Sequence, residues 1–199
     1  MSGGTANRDQ AELDVVSGAT TVAIATADLP DRLCLASTPA DAGVAPTATQ
    51  NGGTIAVSLT STGRQGPAAL RIVLSSGVDW RIRLDGGATE ESVDLSHARL
   101  AALDFGAGAS HIDVSLPRPV GTVPVTMSGG ASSFQLHLPD GVPARVRFAG
   151  GAGSATVDGT VGRGIAGGTT IDGADWTGAT DRYDIDNTAG VSDLTLDRA

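Results

Sequence analysis

A glycine-alanine pair recurs at Gly87-Ala88, Gly108-Ala109, Gly130-Ala131 and Gly151-Ala152, at spacings of 21, 22 and 21 residues. Glycine supplies 28 of the 199 residues, so a ladder of glycines alone would prove little. The apolar columns around it settle the matter. Five and three residues before each pair stand Ile82 and Leu84, Leu103 and Phe105, Val125 and Met127, and Val146 and Phe148. A second column follows as Ile112 and Val114, Phe134 and Leu136, and Ala155 and Val157, with Val93 and Leu95 read as displaced by two positions. Alternation of this kind is the mark of a half-buried strand, so each repeat offers two short strands. One such unit cannot bury its own apolar face, and neighbouring repeats must stack to build a continuous core.

The template reaches beyond the region that defines it. Gly18-Ala19 is flanked by Leu13, Val15, Val22 and Ile24, Gly66 precedes Ile72 and Leu74, and Gly190 precedes Leu194 and Leu196. The pattern predicts an all-β, single-domain parallel β-solenoid (β-helix) of about 21–22 residues per coil, with two main strands per coil. Glycine at one corner permits positive φ, and proline after Leu116 and Leu138 ends a strand at the other. Residues 1–10 read as a flexible linker or cloning remnant and 11–199 as the solenoid domain. Within it, 37–53 reads as a mobile loop and 161–182 as an irregular insert or cap near the C-terminus.

Composition fits a narrow aliphatic interior, with 40% hydrophobic residues but only 3% aromatics. A net charge of −9 disfavours nucleic acid and anionic lipid as partners. All the basic residues are arginine, a usage expected of a GC-rich bacterial genome. The single cysteine, Cys34, stands between Leu33 and Leu35 and reads as a structural thiol. No apolar stretch approaches the ~20 residues of a membrane span.

No catalytic or metal constellation emerges, and no cofactor is expected. His97, His111 and His137 fall at different offsets from their glycines, so stacking does not gather them. Asp94 and Asp113 read as one outward column, which continues as Gln135 and Thr156 without a third carboxylate. The run from Asp184 to Gly190 lacks the spacing and closing glutamate of a calcium loop. The serines have no nucleophile-elbow context. Two surfaces remain. Arg81, Arg83, Arg145 and Arg147 flank the first strand column, with Asp104 and Thr126 between them, as a patch for an acidic polymer or as ordinary cross-strand charge balancing. Trp176, with Asp172, Asp175 and Asp181, lies in the segment that breaks the repeat, as an end cap or an interaction surface.

The units Gly108-Ala-Ser-His-Ile-Asp-Val-Ser-Leu-Pro117 and Gly130-Ala-Ser-Ser-Phe-Gln-Leu-His-Leu-Pro139 resemble the toast-rack and adhesin-type β-solenoid families of bacterial envelope proteins. The resemblance covers roughly 11–199 and carries no catalytic residue. It implies a non-enzymatic, extracytoplasmic structural or ligand-sensing module, the soluble part of a protein whose anchor lies outside this chain. Its partner would be an envelope protein or a polysaccharide. The alternatives are a polysaccharide-binding or polysaccharide-processing β-helix, a self-assembling scaffold, and a cytoplasmic location.

Overall fold

The computed structural model describes residues 9–199 and the backbone of residues 2–3; the rest of the expected linker up to residue 8 lies outside the described residues. The protein is all-β, with two mixed sheets and one single-turn 3-10 helix among the described residues. Seven sequence units each supply two strands. The first is β2 (Gln10–Val15) with β3 (Ala19–Ala27), the second β6 (Thr54–Ser61) with β7 (Ala69–Ser75), and the third β8 (Asp79–Leu84) with β9 (Ala88–Asp94). Then come β10 (Arg99–Phe105) with β11 (Ala109–Ser115), β12 (Thr122–Met127) with β13 (Ala131–Leu138), β14 (Ala144–Phe148) with β15 (Ala152–Val157), and β18 (Arg182–Asn187) with β19 (Val191–Arg198). The edges are made by β1 (Ser2–Gly3), β4 (Cys34–Ser37), β5 (Val44–Asn51), β16 (Thr160–Ile165) and β17 (Thr169–Asp172).

One sheet runs β1-β4-β7-β3-β9-β11-β13-β19-β15-β16 and will be called the second-strand sheet; the other, the first-strand sheet, runs β17-β14-β18-β12-β10-β8-β2-β6-β5. All pairs between units are parallel, and the edge strands β1, β4, β5, β16 and β17 pair antiparallel. The sheets are therefore mixed, not uniformly parallel.

Both sheets place the units in the same order: second, first, third, fourth, fifth, seventh, sixth. The first and last units are each inserted one layer in from an end. A physical reason lies in the hairpins. The chain runs β5 into β6 through Gly52 and β15 into β16 through Gly159, both at positive φ, and each hairpin partner occupies one edge of its unit. Units so flanked can accept a parallel neighbour on their remaining edge only, so they belong at the ends. The terminal units have no such partner, and both their edges are paired in the interior.

Two expectations about irregular segments change. Residues 37–53, expected as a loop, contain β5, and 161–182 contain most of β16 and all of β17. Short polar strands at an edge have one paired side and little apolar alternation, so their sequences look like loops.

The core follows the columns closely. Leu103, Phe105, Ile112, Val114, Val125, Met127, Phe134, Leu136, Val146 and Phe148 are all buried, and Phe105 meets Phe134 edge-on with centroids 5.5 Å apart. Trp80 is fully buried and donates from Nε1 to the Ser75 carbonyl at 2.8 Å. The buried Tyr183 hydroxyl donates to the Pro117 carbonyl at 2.8 Å. At the glycine corner, Gly130 and Gly151 take positive φ, and close approach acts where φ does not. Gly108 has no positive φ, yet a Cβ there would stand 2.7 Å from the Gly129 carbonyl oxygen of the next unit.

One column reads differently. Val93 pairs with Ile24 and Val114 without displacement, so the position before it in the column, between Val22 and Ile112, belongs to Glu91. In the same way Asp94 lies opposite Ser115, and Asp113 opposite Ser92; the two aspartates do not face each other.

Candidate surface site

The outward residues of the first-strand sheet form two rows. Along one run Asp14 (β2), Arg83 (β8), Asp104 (β10), Thr126 (β12), Asp186 (β18) and Arg147 (β14), each in register with the next. Along the other, Arg145 of β14 lies between Asp184 of β18 and Asp172 of β17, while Arg81 of β8 lies between Glu12 of β2 and Ala102 of β10. Insertion of β18 thus supplies Asp184 and Asp186, partners for Arg145 and Arg147 that strand order along the chain does not suggest. The two arginine pairs are four strands apart, about 19 Å at the usual strand spacing.

The pair on β14 is closed. Arg145 donates to both oxygens of Asp184, from Nε at 3.1 Å and from Nη2 at 2.8 Å, and Arg147 reaches Asp184 at 3.3 Å and Asp186 at 3.5 Å. The hydrogen bonds and charge of Asp184 hold the Arg145 guanidinium above its usual pKa despite partial desolvation.

Trp176 joins this network from outside the sheet. It opens the 3-10 turn Trp176–Gly178, and its ring lies between the guanidinium of Arg145, 3.7 Å from the centroid, and that of Arg182, at 4.2 Å. Its indole donates to the Tyr183 carbonyl at 3.0 Å, and Arg182 donates to the Trp176 carbonyl at 2.9 Å. Asp181 accepts from the Gly121 amide at 2.7 Å. Asp172 is on β17 facing Arg145, and Asp175 takes positive φ just before the turn. Of the four acidic and aromatic residues singled out from sequence, Trp176 and Asp172 therefore converge on Arg145. Asp181 ties the start of β18 to the β12 side. The open end of the stack is met by β16 and β17, and Trp176 lies on the outer face.

The pair on β8 is open. Arg83 makes a single contact with Asp104, Nε to Oδ2 at 3.4 Å, and Arg81 has no ion pair or hydrogen bond among the described residues. Beside Arg81 the β10 strand bulges between Leu100 and Ala102. A depression of about 140 Å³ opens there, lined by Arg81, Arg83, Ala102, Asp104, Pro124 and Thr126 with Glu12 at its margin. The Asp104 oxygen Oδ1 is shielded from solvent and has no hydrogen-bond partner. Glu12 is occupied by the Thr54 hydroxyl at 2.9 Å. Asp14, in register with Arg83 on β2, has its pKa raised by desolvation and by Asp85, with Arg83 opposing.

Sequence reasoning missed two titratable features of the other sheet. Glu91 is 2% exposed, and neither carboxyl oxygen has a hydrogen-bond partner; burial alone pushes its pKa from 4.5 up to about 7. The signal was present, since Glu91 is the one acidic residue in the column that elsewhere holds Val22, Ile112, Phe134, Leu194 and Ala155. His137 lies on the outer face, with Nδ1 2.5 Å from Asp197 and Nε2 3.5 Å from Asp113. Desolvation is the largest influence and disfavours the imidazolium, but Asp197 and Asp113 together outweigh it and raise the pKa. His97 bonds to Ser96, and His111 sits exposed on β11, so the three histidines stay apart. Among the described residues no group of three or more metal-ligating side chains is arranged to hold an ion.

Against solved structures, the whole chain is similar to the crystal structure of a "putative cell adhesion protein" from Clostridium sporogenes, with a TM-score of 0.76, 15% identity and coverage of 100% of this chain and 97% of that one. At that identity the likeness is one of fold. A "putative adhesin" from Bacteroides fragilis covers 96% of this chain and 93% of its own at 9% identity, with a TM-score of 0.28. No family model matches, and no curated protein matches.

Proposed function

We propose that this chain is a non-enzymatic recognition module of a bacterial envelope protein, working outside the cytoplasm. In this reading it is a short β-solenoid, of the toast-rack and adhesin type, whose contact surface is the outer face of the first-strand sheet. The observation that carries it is the construction of that face: fixed rows of arginine and aspartate, rigidly backed by a buried core, with a depression where the charge ladder is incomplete. Such a surface positions polar groups for recognition without gathering an acid, a base and a nucleophile. The fold shared with the Clostridium protein and its description as an adhesion protein support the reading. No helix among the described residues is long and apolar enough to cross a membrane.

The edges speak against a self-assembling scaffold. The edge strand β5 carries Pro46, β16 carries Gly162 and Gly164, and β17 has four residues; all are features that discourage pairing with another copy. Trp176 serves here as a strap that holds the inserted seventh unit, not as a contact residue.

The test is a glycan array read with wild type and with Thr126→Trp, which covers the middle of the face without entering the core. Retention that disappears in the variant is expected. Retention indifferent to the substitution, or none at all, would overturn the reading.

A further inference from the structure

The two arginine pairs are equivalent positions of one scaffold, and their surroundings differ at two places: Ala102 stands where the other pair has Asp184, and Asp14 where it has Thr170. On β14, Arg145 faces Asp184 and Arg147 faces Asp186; on β8, Arg81 faces Ala102 and Arg83 faces Asp104. The opposite neighbours match too, acidic Asp172 beside Arg145 and acidic Glu12 beside Arg81. Two of the three carboxylates around the β14 site, Asp186 and Asp172, thus have counterparts around the β8 site in Asp104 and Glu12. The missing one is the bidentate partner, and its place is taken by a methyl group at a bulge with an open depression above it.

We infer that the depression is a binding site for a carboxylate-bearing sugar, in which the ligand's carboxylate takes at Arg81 the position that Asp184 takes at Arg145. This rests on the recognition reading and names its ligand class. An arginine fork matches a carboxylate in two parallel hydrogen bonds, as the Arg145–Asp184 pair already shows within this molecule. The remaining groups select what the carboxylate is attached to. Asp104 lines the depression as an acceptor, and the Thr126 hydroxyl offers both a donor and an acceptor. Among sugars, a carboxylate with hydroxyls beside it is what a uronic acid presents. Glu12 repels an anion on the β2 side, so the carboxylate enters from the β10 side, over Ala102. The volume of about 140 Å³ is below the ~300–1,000 Å³ of sites that engulf a drug-sized ligand, which fits one residue of a longer acidic polysaccharide lying across an open sheet. The depression is lined by two arginines and two carboxylates, and the feature that admits an anion in a protein of net charge −9 is Arg81, which lacks an ion pair among the described residues.

The experiment is titration of the isotope-labelled chain with D-galacturonate, D-glucuronate, neutral D-galactose, N-acetyl-L-glutamate and a tri-galacturonate, followed by backbone amide shifts. Saturable shifts centred on Arg83, Ala102 and Thr126 are expected with at least one uronate, tighter with the trimer and absent with galactose. Arg81→Gln should weaken uronate binding at least tenfold, while Arg71→Gln, on the outer face of the other sheet, leaves it unchanged. Ala102→Asp should build the missing ion pair and block the site; circular dichroism checks that this variant is folded, and Arg81→Gln carries the test if it is not. Binding of N-acetyl-L-glutamate but of neither uronate would overturn the sugar assignment, and uronate shifts that survive Arg81→Gln would overturn the site. If the array signal depends on Thr126 while uronates produce no shifts, the recognition reading stands and the carboxylate inference falls.

Discussion

Two arginine pairs share one sheet face, and they have opposite fates. Arg145 is held at both ends of Asp184, stacked on Trp176 and flanked by Arg147, and is only 22% exposed, whereas Arg83 is 51% exposed on one long contact and Arg81 has none. The same two-residue spacing on two strands of one sheet produced both. What differs is the neighbouring strand: β18 brings two aspartates in register, and β10 brings a bulge with Ala102. A charge becomes part of the structure when its partner arrives in register, and remains available to a ligand when it does not.

The largest expected effect tests whether the half of the molecule carrying the open pair is also the half tuned by pH. Glu91 is on β9, in the same unit as Arg81 and Arg83, and its neighbours Val22 and Ile112 offer no charge; only desolvation acts on it. A folded pKa of about 7 against 4.5 unfolded means that its contribution is fully present below about pH 4.5, falls as pH rises, and is gone above about pH 7. The loss is about 3 kcal/mol on conversion of that difference. Glu91→Leu should therefore stabilise the protein by about that amount at pH 8 and flatten the fall between pH 4.5 and 7. Urea midpoints at several pH values measure it, and an unchanged pH slope would refute it.

The next effect addresses the pairs directly. Asp184→Ala removes the shared partner of the half-buried Arg145 and the more exposed Arg147, and a cost of about 1–2 kcal/mol is expected. Asp104→Ala removes one exposed contact and should cost less than about 1 kcal/mol. Equal losses in thermal unfolding would erase the distinction between closed and open pairs.

A third effect concerns the strap. Trp176→Ala removes two stacked guanidinium contacts and one hydrogen bond, with an expected cost of about 1–2 kcal/mol. Amide exchange should rise along β18 and stay constant along β8. Faster exchange at both would show that Trp176 acts on the whole stack and not on its seventh unit.

Much of this was legible in the chain. The first inward column was read correctly from Ile82 to Phe148, because burial on one face imposes period two on the residues themselves. The four arginines were also read as outward by parity. What parity could not supply was the identity of their neighbours, since Asp184 and Asp186 are some 40 positions from Arg145 and Arg147 in sequence. Glu91 was hidden by the same logic: expecting an apolar residue, the reading moved the column by two to Val93, where register shows no displacement.

The sequence by itself determined which residues face inward, where each unit turns, and that units must stack. The tertiary structure alone decided the order of stacking. Parallel ladders are built from backbone groups that every unit presents alike, so the apolar columns of units one, two and three fit in more than one order. The choice falls to which strand edges remain free once β5 and β16 have closed theirs. That choice brings β18 beside β14 and leaves Arg81 beside Ala102.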